Sequence, residues 1–285
     1  MIPVECIRDA IEQATGTRPS GEPVPVGGGC ISDTHKLGDF FVKSGAASQL
    51  DMFEAEQRGL EEIASTGTVR VPAPVCCAAH DQHAFLVMEH LPLTHAASAS
   101  QEHLGRSLAG MHRVTQDSFG WDIDNFIGAT AQPNPRGDDW ITFLRDHRLG
   151  HMLTLAQASG HRFRNAERLL DHLEMFFAGY DPVPSLLHGD LWGGNASALP
   201  DGTPVIFDPA VYFGDREADL AMTTLFGGFS TAFYDAYNDA WPLDPGHHRR
   251  RSLYNLYHIL NHAVLFGGSY AHQARSMIDG LVERI

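Results

Sequence analysis

Residues 186–195 read "LLHGDLWGGN", and the fold of the chain turns on this stretch. Leu186 and Leu187 end a short apolar run that reads as a strand. His188, Gly189 and Asp190 follow at once, and then Trp192, two glycines and Asn195. A carboxylate, an aromatic ring and a carboxamide are therefore set on one glycine-rich turn directly after a strand. Any one of them alone reads as an ordinary turn residue, because Asp, Asn and Gly all favour turns. What accompanies them elsewhere in the sequence decides between a turn and a site.

Asp190 and Asn195 stand five residues apart. That is the spacing of a kinase catalytic loop, in which the Asp accepts the hydroxyl proton and the Asn holds a magnesium ion. A second short β segment, "TPVIFDP" (203–209), carries Asp208 just past its apolar core. From there a carboxylate reaches the same ion, and Mg²⁺ takes one or two carboxylates together with phosphate oxygens and water. Asp190 as base with Asn195 and Asp208 as metal ligands is the set that phosphoryl transfer needs. The three are expected on two adjacent short β segments.

The N-terminal part is then expected to hold the nucleotide. "VGGGCIS" (26–32) lies between two strand candidates, and Gly27, Gly28 and Gly29 let backbone approach phosphates closely. No Gly-Lys-Ser/Thr follows, so the run is not a Walker A motif, and by itself it also fits a hairpin turn. Lys43, in "FFVKS", is the one cation on an apolar strand and suits the α/β-phosphates. Residues 50–65 have helical periodicity, with Phe53, Leu60 and Ile63 on one face. Glu54, Glu56, Glu61 and Glu62 compete as partners for Lys43. Glu56 falls between Phe53 and Leu60 on the core-facing stripe, where a charge needs a partner, and is chosen. "LVMEHL" (86–91) crosses the presumed junction of two lobes, so backbone groups of Glu89, His90 and Leu91 are expected at adenine, with Met88 behind.

Strand patterns at 71–78 and 84–89 belong to the first ninety residues. Helical patterns at 100–113, 138–158 and 163–178, and from 217 onward, dominate the rest. The expected fold is α+β and two-lobed, protein-kinase-like: a small β-rich N-lobe (1–89) for ATP and a larger helical C-lobe (90–285) for catalysis and substrate. The 285 residues suffice for two such lobes. No apolar run approaches the roughly 18 residues of a membrane span, the N-terminus lacks a signal-peptide pattern, and the cytoplasm is the expected location. Net charge is −15, which argues against nucleic acid and anionic lipid as partners. The basic cluster "HHRRR" (247–251) reads as a solvated helix start. Four cysteines with no CxxC pattern fit reduced thiols and give no zinc framework. His258 and His262 stand at i and i+4 like half of a zinc site, but Ile259 occupies the place of the HExxH glutamate, and buried, hydrogen-bonded histidines are expected instead.

Taken together the chain resembles the fructosamine kinase (ketosamine-3-kinase) family, relatives of the aminoglycoside phosphotransferases. The matching stretches are "GGGCIS", "FVKS", "MFEAEQRGL", "LVMEHL", "DNFIG", "DDWITFLRDHRL", "LLHGDLWGGN", "VIFDPAVYFGDREADLAM", "FGGF" and "LYNLYHILNH", in order from about residue 25 to 270. The resemblance implies ATP- and Mg²⁺-dependent phosphorylation of the 3-hydroxyl of a ketosamine, a sugar joined to an amine by glycation. The resulting phosphate eliminates and frees the amine, a deglycation. It implies Asp190 as base, Asn195 and Asp208 on Mg²⁺, Lys43 on phosphates and 89–91 at adenine.

With that substrate, Trp192 is expected to pack on the sugar, and Trp140 and Phe143 to extend the wall. Asp219 is expected to orient the catalytic loop or cap its helix, and His188 to bond backbone. Two departures stand out, a rearranged "ATAQPN" (129–134) and Asp215 where the family often has His; both are read as bearing on substrate. An aminoglycoside- or choline-type phosphotransferase and a nucleotide-binding pseudokinase are the competing readings. The Trp-Gly-Gly run argues against the first, and the complete Lys43, Asp190, Asn195 and Asp208 set against the second. Cys30 sits in the glycine-rich run, where oxidation would couple two copies, so the chain is expected as a monomer or a redox-dependent homodimer.

Overall fold

The computed structural model describes residues 4–27 and 32–285. Gly28, Gly29 and Cys30 lie outside the described residues, and so do the expectations placed on them.

A five-stranded antiparallel sheet is built from the first ninety residues, in the order β1-β2-β3-β5-β4. Its strands are β1 (Val24–Pro25), β2 (Asp33–Leu37), β3 (Phe40–Ala46), β4 (Pro74–His80) and β5 (His83–Glu89). Side chains alternate across a strand, and β5 uses both faces. Phe85 and Val87 join Val42 against Ile7 and Ile11 of helix α1 (Val4–Thr15). Leu86 and Met88 join Phe53, Leu60 and Ile63 of helix α2 (Leu50–Ser65) on the other side. Lys43 follows Val42 and pairs across the sheet with Leu86. The period of two therefore turns it to the α2 face, towards the rest of the molecule.

The remainder is mainly helical. Helix α3 (Ser98–His112) is followed by a small hairpin, β6 (Asn125–Ile127) with β7 (Thr130–Gln132). The expected helix at 138–158 is present as α4 (Trp140–Phe143), a π-helical stretch Leu144–Leu149, and α5 (Gly150–Ala158). The expected helix at 163–178 is not continuous. It divides into α6 (Ala166–Leu170) and a 3₁₀ turn, Leu173–Phe176. The cause is local. His172 Nδ1 lies 2.9 Å from the Arg168 carbonyl that an α-helix would offer to the His172 N–H, and that N–H bonds Leu169 instead, at 3.2 Å.

The two short β segments of the central stretch do not pair with each other. β8 (Ser185–Leu187) pairs with β11 (Tyr212–Gly214), and β10 (Pro204–Ile206) pairs with β9 (Ala196–Ala198). β9 and β11 are three residues each, too short for a period to show. Helices α7 (Glu217–Leu225), α8 (Thr231–Ala240), α9 (His247–Phe266) and α10 (Gly268–Val282) complete the chain. α9 is buried along most of its length.

The basic start of α9 is not wholly solvated. Arg250 is 2% exposed, its Nε donating to Glu217 Oε2 at 2.7 Å and its Nη2 to Glu217 Oε1 and Asp244 Oδ1 at 3.0 and 2.6 Å. Among the described residues no helix is long and apolar enough to cross a membrane.

Candidate active site

β8 delivers the chain to the loop 188–195, and β10 delivers it to the loop 207–210. Three hydrogen bonds lace the two loops together: His188 Nε2 to Phe207 O (3.0 Å), Ala210 N to His188 O (2.8 Å) and Phe207 N to Asn195 O (3.1 Å). The approach is close enough to demand glycine at 189, where φ is +82° and a Cβ would fall 2.0 Å from Ala210 O.

A buried carboxylate fixes the start of the loop. Asp219 accepts the His188 and Gly189 amides at 2.7 and 2.8 Å and lies 3.1 Å from His112 Nε2. Burial acts to raise its pKa, but the bond from His112 and the neighbouring amides prevail and hold it below the usual carboxylate value. Asp219 thus orients the loop backbone. His188 uses both ring nitrogens on backbone, Nε2 on Phe207 O and Nδ1 on the Asp190 amide at 3.2 Å.

Asp190 emerges at the mouth of this loop. Burial first, then the charge of Asp208, pushes its pKa up to about 7, against the opposing bond from Asn195. Asn195 Nδ2 donates to Asp190 O at 2.9 Å and to Asp190 Oδ2 at 3.2 Å. With its amide nitrogen so committed, the Asn195 Oδ1 is the atom left to face a cation. Asp208 has φ +57°, a left-handed conformation uncommon for a residue with a side chain. Lys43 Nζ sits between two carboxylates, 2.7 Å from Glu56 Oε1 and 2.5 Å from Asp208 Oδ1. Burial opposes its charge, but Asp208 and Glu56 together raise its pKa. Glu56 is thus the α2 carboxylate that meets Lys43, on the core-facing stripe. An amide oxygen and a partly exposed carboxylate are hard donors, so Asn195 and Asp208 fit a magnesium ion.

His262 Nδ1 bonds the His258 carbonyl at 2.8 Å. His258 is buried with Nδ1 3.9 Å from Asp190 Oδ1, and burial depresses its pKa to about 3.

At the expected adenine edge only part of the backbone is free. The Glu89 N–H donates to Ala73 O at 2.8 Å and the His90 N–H to Asp39 O at 2.9 Å. Of the three amides, that of Leu91 alone has no partner among the described residues. The Glu89 carboxylate pairs with Arg70. The Glu89 and His90 amides are therefore already bonded within the protein.

The two tryptophans part company. Trp192 is half-buried on the loop, edge-on to Phe226 at 5.9 Å between centroids. Trp140 is 2% exposed and cannot touch a substrate. Asp139 caps its helix through the Thr142 amide, which turns Trp140 inward to stack on Phe143 at 5.7 Å and to donate from Nε1 to Tyr254 OH at 3.0 Å. Phe143, also 2% exposed, is core for the same reason.

The two departures at 129–134 and 215 also prove internal. Gln132 Nε2 donates to Ala210 O at 3.2 Å and to Asn125 Oδ1 at 2.7 Å, and Asn125 Nδ2 donates to Val211 O at 2.7 Å. They hold the backbone just after Asp208. Asp215 is buried and accepts from Tyr180 OH at 2.9 Å and from Tyr254 OH. Sequence reading missed this support, and its signal was the density of Asn and Gln in 125–134.

The chain matches the family described as Fructosamine kinase over residues 3–284. It is 45% identical over 283 residues to the "Probable ketoamine kinase slr1563" of Synechocystis, covering 97% of this chain and 96% of that one. It is 40% identical over 264 residues to the chloroplastic protein-ribulosamine 3-kinase of Oryza sativa subsp. indica, covering 89% of this chain and 77% of the relative. The crystal structure of a "Putative fructosamine-3-kinase" from Haemophilus somnus superposes with a TM-score of 0.90 at 28% identity, over 96% of both chains. A choline kinase of Streptococcus pneumoniae, at TM-score 0.63 and 14% identity over 99% of both chains, shares the fold.

Proposed function

Starting from the premise that the chain belongs to the fructosamine kinase family, we propose that it transfers the γ-phosphoryl group of ATP to the 3-hydroxyl of a ketosamine. Membership makes it a phosphotransferase with an alcohol acceptor. The observation that supports this reading is the lacing of the loop that carries Asp190 and Asn195 to the loop that carries Asp208, with Lys43 beside Asp208.

In this reading residues 1–89 form the nucleotide lobe and 90–285 the catalytic lobe. Gly27 lies at the phosphates, and Leu91 N–H with Glu89 O at the adenine edge. Lys43, held by Glu56, contacts phosphate oxygens once nucleotide competes for it. Asn195 Oδ1 and Asp208 would hold Mg²⁺, which when bound neutralises charge on the phosphates.

Asp190 accepts the proton of the sugar hydroxyl as its oxygen attacks phosphorus, and ADP leaves. A pKa near 7 suits this work, because the carboxylate is both available and basic at neutral pH. His258, neutral, packs behind Asp190 without competing for the proton. Trp192 packs on the sugar. The cytoplasm is part of the reading, supported by the free thiols of Cys6, Cys76 and Cys77.

The test is ATP turnover with Mg²⁺ on a panel of fructosamines and ribulosamines. Phosphorylation at the 3-hydroxyl is expected, with turnover reduced by about a thousandfold or more in Asp190→Asn. Turnover of that variant within about tenfold of the wild type would remove Asp190 from its role, and no turnover of any ketosamine by the wild type would overturn the reading.

A further inference from the structure

Asp208 keeps a left-handed backbone, φ +57°, although it carries a side chain, so its surroundings have to hold it there. Two amide side chains take the carbonyls that follow it. Gln132 donates to Ala210 O at 3.2 Å and Asn125 to Val211 O at 2.7 Å. An amide group is nearly symmetric in shape but not in polarity, and turned over it offers an oxygen where it offered a donor. Asn125 turned over would set its Oδ1 against the Val211 carbonyl and push that segment away. Whatever fixes the direction of Asn125 therefore acts on the backbone beside Asp208.

The partners of Asn125 lead outward to one residue. Its Oδ1 accepts from Gln132 Nε2 at 2.7 Å and from Asn134 Nδ2 at 2.9 Å. Tyr257 OH meets Gln132 Oε1 at 2.6 Å, but a hydroxyl both donates and accepts, so it imposes no direction. Asn134 Oδ1 accepts from Arg148 Nη2 at 2.6 Å. A guanidinium has donors and no acceptor, and it keeps its charge inside a protein. It holds Asn134 with Oδ1 outward and Nδ2 towards Asn125, and this in turn holds the Asn125 donor on Val211 O. Asn125, Gln132, Asn134 and Arg148 are all buried, so water does not take over any of these bonds.

Arg148 lies on the π-helical stretch Leu144–Leu149, where Arg145 stays partly exposed against Asp146 and Arg148 turns inward. Its other bonds go to the Pro133 and His147 carbonyls at 2.7 and 3.0 Å, not to a carboxylate. Ring faces meet its charge instead, with the Tyr212 and Phe143 centroids 4.0 and 4.6 Å from its guanidinium carbon. Tyr212 follows Val211 directly, so Arg148 also touches the same segment with its face. A buried cation without a carboxylate partner is costly, and an apolar side chain of that volume would serve packing better.

On the reading of Asp208 as a Mg²⁺ ligand, we infer that Arg148 is a positioning residue for it: a donor-only cation that sets the direction of Asn134 and Asn125 and through them holds the backbone of 208–212. Arg148 acts through these side chains and Tyr212, away from the reacting atoms.

Asn134→Asp separates direction from stability. It keeps the heavy-atom shape and gives Arg148 a carboxylate partner. It also places an oxygen against Asn125 Oδ1 and against Ile123 O, to which Asn134 Nδ2 donates at 3.1 Å. Asn125 is expected to turn over in response. Amide hydrogen exchange over 207–214 in the nucleotide-free protein reads the backbone, and isothermal titration of Mg²⁺ into the complex with ADP reads the metal. Exchange about tenfold faster and a Mg²⁺ Kd about tenfold weaker are expected, the worth of about one hydrogen bond, with Tm within a few degrees of wild type. Arg148→Met, which removes donors and charge at similar volume, is expected to act in the same direction. Arg145→Met, on the same stretch but outside the network, is expected to change neither readout. Where Arg148→Met fails to fold, Asn134→Asp decides. Exchange unmoved in Asn134→Asp overturns the inference, whatever the chain phosphorylates. Faster exchange with an unmoved Kd takes the metal from Asp208, and overturns that reading and the positioning role with it.

Discussion

Replacing Gly193 by Ala tests the idea that the loop 188–195 is held by contact with the turn 226–229. Gly193 does not have a positive φ, so alanine fits its backbone conformation and the effect is steric. An added Cβ would lie 2.7 Å from Gly227 O and 3.0 Å from Gly228 Cα. Ordinary contact begins at 3.4 Å, so the loop or the turn has to yield by about 0.7 Å. Both neighbours are backbone, and the turn is pinned by Gln101, so most of the movement falls on the loop that carries Asp190 and Asn195. A misplacement of about 1 Å costs about a hundredfold in rate, so a displacement of this size predicts a fall in kcat of about ten- to a hundredfold.

Overpacking of this kind also costs about 1–3 kcal/mol in stability, a few degrees in Tm for a chain of this size. Steady-state kinetics on the best ketosamine, with Tm from a thermal scan, read both quantities. A kcat within threefold of wild type together with an unchanged Tm would show that the loop is not braced there, and would refute the reasoning.

Asp208→Ala is expected to raise the Mg²⁺ concentration for half-maximal turnover, with partial recovery in excess Mg²⁺; an unchanged titration curve would take the metal from Asp208. His258, with its pKa held near 3 when folded, gains a proton on unfolding at pH values below about 6.5, so its contribution to stability falls as pH drops. The stability of wild type relative to His258→Gln, from urea unfolding, should therefore decline by about 1.6 kcal/mol between pH 6.5 and 5, and a constant difference would contradict a neutral, buried His258. Arg250→Met leaves Glu217 buried without its partner and should destabilise the chain by about 3–5 kcal/mol, with part recovered by adding Glu217→Leu; a loss under about 1 kcal/mol would show that the pair is already hydrated.

The candidate site was legible in the sequence because the proposed reaction constrains residue types and spacing. Asp190, Asn195 and Asp208 stand at fixed places after short apolar runs. Glu56 could be singled out from its neighbours because a charge on a helix's core-facing stripe has to find a partner, and it meets Lys43 at 2.7 Å. The division into a β-rich first ninety residues and a mainly helical remainder followed from short apolar runs punctuated by Pro and Gly and from helical periodicity.

Tertiary structure decided what depends on long-range pairing and on side chains whose type does not reveal their side. Trp140 and Trp192 are the same residue to a sequence reader, and only packing sends one into the core and leaves the other half-buried on the loop 188–195. β8 and β10 read as neighbours, yet each pairs with a three-residue strand too short to show a pattern. Arg250 lies in a basic run and is nonetheless buried, because Glu217 and Asp244 come to it from segments fixed only when α7 and α9 pack. Phe226, His262, Phe266 and Tyr270 are scattered over forty-five residues, and their rings meet only because glycine turns bring the chain back past the end of α9. Local chemistry is written in short spacings, whereas which surfaces meet is a property of the folded chain.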